Sequence, residues 1–149
     1  MERRSMKVEV KKIGPDEEEN AVIRVAELTD SVRSAVDLLE NQCRTIPVQA
    51  DGKTMMCRTD QIYYIESVDK RSFVYTKAGC YETKHRLYEL EELLDSRFLR
   101  SAKAMIVNIR KIRSVKSELN GRMRAELLNG EQIIISRAYV KELKEKLGV

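Results

Sequence analysis

Residues 112–136 read IRSVKSELNGRMRAELLNGEQIIIS, and this stretch indicates a mainly β protein. Its two Asn-Gly pairs, at residues 120–121 and 129–130, each separate runs in which apolar and polar side chains alternate. Asn-Gly favours the tight turn of a hairpin, and alternation is the period of a half-buried strand. We therefore predict a three-stranded antiparallel meander. Its strands are residues 112–119, 122–128 and 131–136.

The preceding part of the chain continues the β pattern. Asp51-Gly52, a pair that accepts the positive φ angles of a type I′ turn, lies between alternating runs at residues 46–50 and 53–58. We predict further strands at residues 61–67, 72–77 and 80–84, and helices at residues 87–94 and 138–147. Residues 46–149 are thus predicted to form one mainly β domain with short helices.

Residues 1–45 form a separate head in this prediction. Residues 7–13 alternate like a strand, residues 21–28 look like a second strand, and Thr29 or Asp30 is a good N-cap for a following helix. The helix has one apolar face, formed by Val32, Ala35, Val36 and Leu39. A strand-strand-helix unit of this size cannot bury a core alone. The head must therefore pack against the body of the chain or against the same segment of a second subunit.

Composition argues against a membrane, an export signal and a metal. No apolar run approaches the roughly 20 residues of a membrane-spanning helix, and the charged start MERRSMKVEVKK lacks the apolar region of a signal peptide. We therefore expect a cytoplasmic protein. Its scattered cysteines and single histidine offer no zinc-ligand pattern, so we expect reduced thiols and no metal. These residues are Cys43, Cys57, Cys80 and His85.

Catalysis has little support in the sequence. The chain contains no Gly-rich phosphate loop, no HExxH and no GxSxG. His85 lies in the polar run TKHR at a predicted strand-to-helix junction, without a neighbouring nucleophile or an orienting partner. We predict no catalytic residue and no cofactor.

The basic charge of the chain is concentrated in its last third. Residues 97–149 carry 13 basic and 5 acidic side chains, a net charge of +8, whereas residues 1–45 and 46–96 are each −2. Such one-sided charge indicates a polyanionic partner such as nucleic acid. The basic region has β periodicity and no helix-turn-helix pattern, so base reading is expected from loops at the ends of strands.

Four segments, taken together, resemble the signature of the LytTR DNA-binding family. In chain order they are DQIYYIES at 60–67, RLYELE at 86–91, FLRS at 98–101 with IVNIRKI at 106–112, and LNG at 128–130 with ISRAY at 135–139. Their order and spacing match over about residues 46–147. The resemblance implies an elongated domain of several antiparallel sheets, which places loops rather than a recognition helix in successive major grooves of double-stranded DNA.

Carried over to this chain, the resemblance implies three DNA-facing segments. They are Lys70-Arg71-Ser72, Ala102-Lys103-Ala104 and Arg137, and Arg100 and Asn108 complete the predicted DNA-binding set. Residues such as Arg100 and Asn108 more often orient a loop or bond to the backbone than touch a base. Many family members have His at the position of Ala102 and a polar residue at that of Ala104, so Lys103 is the one long polar side chain of its loop.

Two functions from different classes follow. The first is a sequence-specific DNA-binding transcriptional regulator that binds repeated half-sites as a homodimer. LytTR domains commonly follow a receiver domain, for which the 45 preceding residues leave no room, so we favour the head as the source of dimerisation. The alternative is an interaction module or antagonist with a LytTR-like fold that does not bind DNA. The +8 of the last third favours the first function. RNA is a weaker candidate because few aromatic residues are available for stacking.

Overall fold

The computed structural model describes residues 5–40 and 44–149, which form ten strands and three α-helices. In chain order these are α1 (Asp30–Glu40), β1 (Thr45–Ala50), β2 (Lys53–Arg58), β3 (Ile62–Val68), β4 (Arg71–Thr76), β5 (Gly79–Thr83), α2 (Leu87–Leu93), β6 (Phe98–Ala102), β7 (Met105–Asn108), β8 (Ile112–Ser117), β9 (Met123–Leu127), β10 (Gln132–Ile135) and α3 (Arg137–Leu147). The predicted mainly β fold with short helices is confirmed.

Seven strands form one antiparallel sheet in the order β2-β1-β5-β4-β3-β7-β6. Asp51 and Gly52 have φ angles of 52° and 74°, so the β1–β2 hairpin turns through the Asp-Gly pair as predicted. Asp69 and Lys70 have φ angles of 51° and 66° and make an equally tight turn between β3 and β4. Both turns are tight, and each exposes its residues at the ends of the two strands that it joins.

The remaining three strands form the predicted meander. β8, β9 and β10 pair in the order β10-β9-β8, with Met123 opposite both Ser117 and Ile135. The residue after β10, Ser136, leads directly into α3. The start of α3 and the β8–β9 turn therefore lie at the same end of this sheet, and the β9–β10 turn lies at the other.

Two cores share the middle of the large sheet. Alternate residues of β3 point to opposite faces, so Ile65 belongs to one core and Tyr64 to the other. The first core lies under α2 and includes Val48, Val74, Leu90 and Ile106. The second lies between the large sheet, the meander and α3, and includes Leu99, Val107, Ala125, Ile135 and Leu143. The two cores join both sheets into one body.

Two strands were not foreseen in the sequence. β6 and β7 lie within the motif residues 98–112, but their short apolar runs lack a turn signal, and only pairing with β3 places them in the sheet. β7 is buried along most of its length because it joins the two cores. Burial on both faces removes the alternation that identifies a strand in a sequence.

The two strands predicted in the head are wrong for the chain as the structure describes it. Residues 5–29 contain no helix or strand, and Val8 and Val10 are 78% and 90% exposed. A half-buried strand needs a neighbour that satisfies its backbone hydrogen bonds and covers its apolar face. No strand of the described part of the chain lies beside residues 7–13 or 21–28.

The predicted head helix does form. α1 begins at Asp30, and the Thr29 hydroxyl accepts a hydrogen bond of 3.3 Å from the backbone N–H of Val32, so Thr29 caps the helix. Ser96 donates a hydrogen bond to Asp37, which ties α1 to the residues just before β6. None of the three described helices is long and apolar enough to cross a membrane.

Candidate nucleic-acid interface

Loops from both sheets meet at one end of the body. The backbone N–H of Ser67, at the end of β3, donates to the carbonyl of Ala104 at 2.8 Å, and the N–H of Ser136 donates to the carbonyl of Ser101 at 2.8 Å. These bonds join the β3–β4 turn to the β6–β7 loop and that loop to the start of α3. We call this surface the loop row. It comprises residues 69–71, 102–104, 119–121 and 136–137.

The first segment of the row is the β3–β4 turn. Lys70 is exposed at its tip, and Arg71 is exposed with its Nε 3.6 Å from Oε1 of Glu82. Contrary to the prediction, Ser72 does not face outward, since it is 3% exposed and is paired with Ser67 and Thr83 in the sheet. Ser72 is therefore a sheet residue and not a candidate contact.

The second segment is the β6–β7 loop, which Arg100 holds in place. Its guanidinium donates to the carbonyl of Ala102 at 3.2 Å, to the carbonyl of Lys103, and to the carboxylate of Glu91 on α2 at 3.1 Å. Lys103 itself is exposed. Arg100 thus positions the loop, while Lys103 projects from it.

Asn108 lies too deep to be a contact. Its side chain is 1% exposed, its Nδ2 donates to the carbonyl of Ile62 at 2.8 Å, and its Oδ1 accepts from the N–H of Arg110 at 3.1 Å. The amide therefore links the end of β7 to the start of β3. These hydrogen bonds and the burial favour a supporting role for Asn108 over the predicted direct contact with DNA.

The third predicted segment is Arg137, the first residue of α3, which is exposed. Its aliphatic part crosses the β8–β9 turn at Gly121. A Cβ on Gly121 would lie 2.9 Å from Cδ and 3.2 Å from Cγ of Arg137, and Gly121 has a φ of 77°. Glycine is needed there both for the close approach and for the backbone conformation. Sequence reasoning identified the Asn-Gly turn but not its contact with Arg137.

Most cations of the loop row are free of ion pairs, and the exception is Arg71, which lies beside Glu82. Lys70, Lys103 and Arg137 make no ion pair with any other residue of the ranges that the structure describes. Arg113 and Arg124, by contrast, pair with Glu126 and Glu118 on the meander, at 3.7 and 2.7 Å. Lys70, Lys103 and Arg137 thus keep their full charge for a partner.

Arg97 contributes to the basic charge of the sequence but not to this surface. It forms a nearly buried ion pair with Asp95 at the opposite end of β6. Burial acts to raise the pKa of the Asp95 carboxyl, but the hydrogen bonds from Arg97 outweigh it and lower that pKa. The pair is therefore a structural link, and Arg97 is not available to a polyanion.

Residues suited to metal binding or catalysis do not gather in the described ranges. They contain no group of three or more His, Cys, Asp or Glu side chains that could hold a metal ion. Nδ1 of His85 lies 3.5 Å from Oε2 of Glu89, whose other carboxylate oxygen caps the start of α2. His85 thus lies beside a helix cap. Cys57 is buried and Cys80 is exposed, both as free thiols, and Cys43 lies outside the described residues.

Comparison with known families agrees with this geometry. Residues 52–148 match the model of the LytTr DNA-binding domain. A solved LytTr DNA-binding domain of a response regulator from Bacillus cereus superposes with a TM-score of 0.67 and 22% sequence identity, covering 71% of this chain and 98% of that one. At this identity, the superposition shows the shared fold alone.

Two protein relatives differ in how much of their length is matched. The chain is 28% identical over 105 residues to the sensory transduction protein LytT of Enterococcus faecalis, which covers 70% of this chain but 43% of that protein. It is 27% identical over 129 residues to an uncharacterized HTH-type transcriptional regulator of Staphylococcus aureus. That match covers 85% of this chain and 88% of the relative, so the two are similar over most of their lengths.

Proposed function

Because the chain belongs to the LytTR family of DNA-binding domains, which is not a family of enzymes, we propose that it is a sequence-specific transcriptional regulator that reads major grooves of double-stranded DNA through its loop row. The described helices are separated from one another by strands. No two of them form a helix-turn-helix, so the groove-reading elements are loops. A chromosomal target would place the protein in the cytoplasm.

The observation that carries this proposal is the alignment of three unpaired cations on one end of the body. Lys70, Lys103 and Arg137 come from three separate segments that backbone hydrogen bonds hold side by side. Lysine contributes mainly charge toward phosphates, and the planar guanidinium of arginine can donate two hydrogen bonds to O6 and N7 of guanine. Arg137 is therefore the proposed base reader, and the two lysines supply affinity and orientation.

Selection from a pool of random duplexes tests the function directly. The full chain should enrich a short motif, present in two copies, and should bind it at least a hundredfold more tightly than a scrambled duplex at physiological salt. The triple variant Lys70→Gln, Lys103→Gln, Arg137→Gln should enrich nothing, whereas the control Lys144→Gln, on the exposed side of α3, should behave like the unaltered chain. A full chain that enriches no motif would support the interaction-module alternative.

We also propose that the head pairs with the head of a second copy to form a homodimer. Its large apolar side chains are exposed in the single chain, and they include Met6, Val8, Val10, Ile13, Val22, Val25 and Leu28. Residues 7–13 are net +2, residues 16–19 are net −4, and residues 21–28 are net neutral. A two-fold arrangement of two heads would cover these exposed apolar side chains in both copies.

A further inference from the structure

The β8–β9 turn carries an apolar side chain that no described residue covers. Leu119 is fully exposed at the tip of a tight loop, in which Glu118 donates its N–H to Arg122 at 2.8 Å and Gly121 donates to Glu118 at 3.3 Å. The loop is therefore ordered by its own backbone. Leu119 contributes no burial to the fold, so its presence at the tip is not explained by folding.

This turn lies in contact with Arg137. Gly121 lies against the aliphatic part of Arg137, so the tip of the turn and the guanidinium are next to each other in the loop row. A groove that received Arg137 would also receive the β8–β9 turn, in which Leu119 is two residues from Gly121. The other large side chain at a meander turn, Leu128, lies at the opposite end of the same sheet and away from the row.

The charge around the turn suits a polyanion despite one nearby acid. Glu118 accepts a hydrogen bond of 2.7 Å from Nε of Arg124, and this bond, aided by the charges of Arg124, Arg122 and Lys116, lowers the pKa of its carboxyl. The carboxylate is thus matched by Arg124, and Lys116 and Arg122 remain as further cations at the base of the turn. The acid does not oppose the approach of phosphates.

We propose that Leu119 is a specificity-determining residue that packs against the C5-methyl group of a thymine next to the base contacted by Arg137. Apolar contact with this methyl group is one of the standard ways in which a protein recognises thymine in the major groove. The inference rests on the proposed DNA-binding function and adds to it a fourth contact segment, residues 119–121, and the base that this segment prefers.

Replacing thymine by deoxyuridine tests this contact, because the exchange removes one methyl group and leaves base pairing unchanged. On the duplex selected by the unaltered chain, deoxyuridine at one thymine should weaken binding about fourfold, the factor that corresponds to one buried methyl-sized group. Leu119→Ala should lose a similar factor on the thymine duplex and should not distinguish thymine from deoxyuridine at that position. Because Leu119 is fully exposed, the variant should unfold at the same urea concentration as the parent chain.

Leu128→Ala is the matched control, and it should retain both full affinity and the sensitivity to deoxyuridine. If the selected motif lacks a thymine next to the position read by Arg137, or if Leu119→Ala still distinguishes deoxyuridine, the inference is overturned while sequence-specific binding stands. If the unaltered chain has no sequence preference, the proposed function and the inference fall together.

Discussion

The loop row and residues 5–29 of the head differ in what holds them. The segments of the row are joined by backbone hydrogen bonds, by the Arg100 network and by the contact of Gly121 with Arg137. In residues 5–29, regular alternation produces no strand, and the apolar side chains stay exposed. A pattern becomes structure only where a partner segment is present, and the described chain supplies one for the segments of the row but none for residues 7–13 and 21–28.

The largest expected effect is the fall in DNA affinity as the salt concentration rises. Displacement of counterions from about five to nine phosphates gives a slope of log K against log[salt] of roughly −4 to −8. Removing the charges of Lys70, Lys103 and Arg137 together should reduce the magnitude of the slope by about 3, roughly 1 for each charge. Removing the charges of Lys11, Lys12 and Arg24 in the head should leave it unchanged. Equal slopes for the two triple variants would contradict the assignment of the interface, and titration by fluorescence anisotropy measures both.

The head should determine the oligomeric state. Burying each valine in a dimer contributes about 1.5–3 kcal/mol, so Val8→Gln with Val10→Gln should weaken self-association by roughly a hundredfold or more. Lys11→Gln, on the other side of the same alternating segment, should not. Sedimentation equilibrium of the full chains measures the difference. A parent chain that stays monomeric at high concentration would exclude the proposed dimer.

Arg137 should matter for sequence selectivity more than for folding. Arg137→Ala should cost about 1–3 kcal/mol on the preferred duplex and relax selectivity at one or two base pairs. Lys144→Ala, on the same helix but away from the row, should change neither. Binding to a panel of single-base variants of the selected duplex separates the two effects. An equal loss on every duplex would show that Arg137 holds a phosphate and does not read a base.

Asn108, which is buried, should matter for stability more than for DNA contact. Asn108→Ala leaves the carbonyl of Ile62 and the N–H of Arg110 without their buried partner, which should lower the free energy of unfolding by about 1–3 kcal/mol. Lys103→Ala, at an exposed site, should leave that free energy unchanged while weakening DNA binding. Urea unfolding provides the measurement. The reverse result, with a stable Asn108→Ala variant that cannot bind DNA, would restore Asn108 as a contact.

The smallest expected difference is between alanine substitutions at the two turn glycines of the meander. Gly121 and Gly130 both have positive φ, 77° and 87°, so alanine should destabilise either turn by about 1–2 kcal/mol. Only at Gly121 does the new Cβ meet Arg137, since nothing lies within 4 Å of a Cβ on Gly130. Gly121→Ala should therefore also lower selectivity for the duplex, and Gly130→Ala should not. If both variants keep selectivity, the turn does not position Arg137.

The interface was partly predictable from the sequence. The exposed cations Lys70, Lys103 and Arg137 follow from the family motifs, because loops at fixed places in a motif keep their places in the fold. Ser72 and Asn108 lie in the same motifs but are buried, and a sequence motif does not separate residues that contact a ligand from residues that support those contacts. For Arg100 the sequence favoured an orienting role, and its three hydrogen bonds identify the loop that it positions.

Local patterns in the sequence were sufficient for the hairpins, for α1, α2 and α3, and for the mainly β class, because turn chemistry and side-chain periodicity act over a few residues. The tertiary structure decided the rest. It placed β6 and β7 beside β3, brought Gly121 against Arg137, and left residues 7–13 and 21–28 without a partner strand in the described chain. Each of these outcomes depends on contacts between residues distant in sequence, and a local pattern carries no information about which distant segment will cover it.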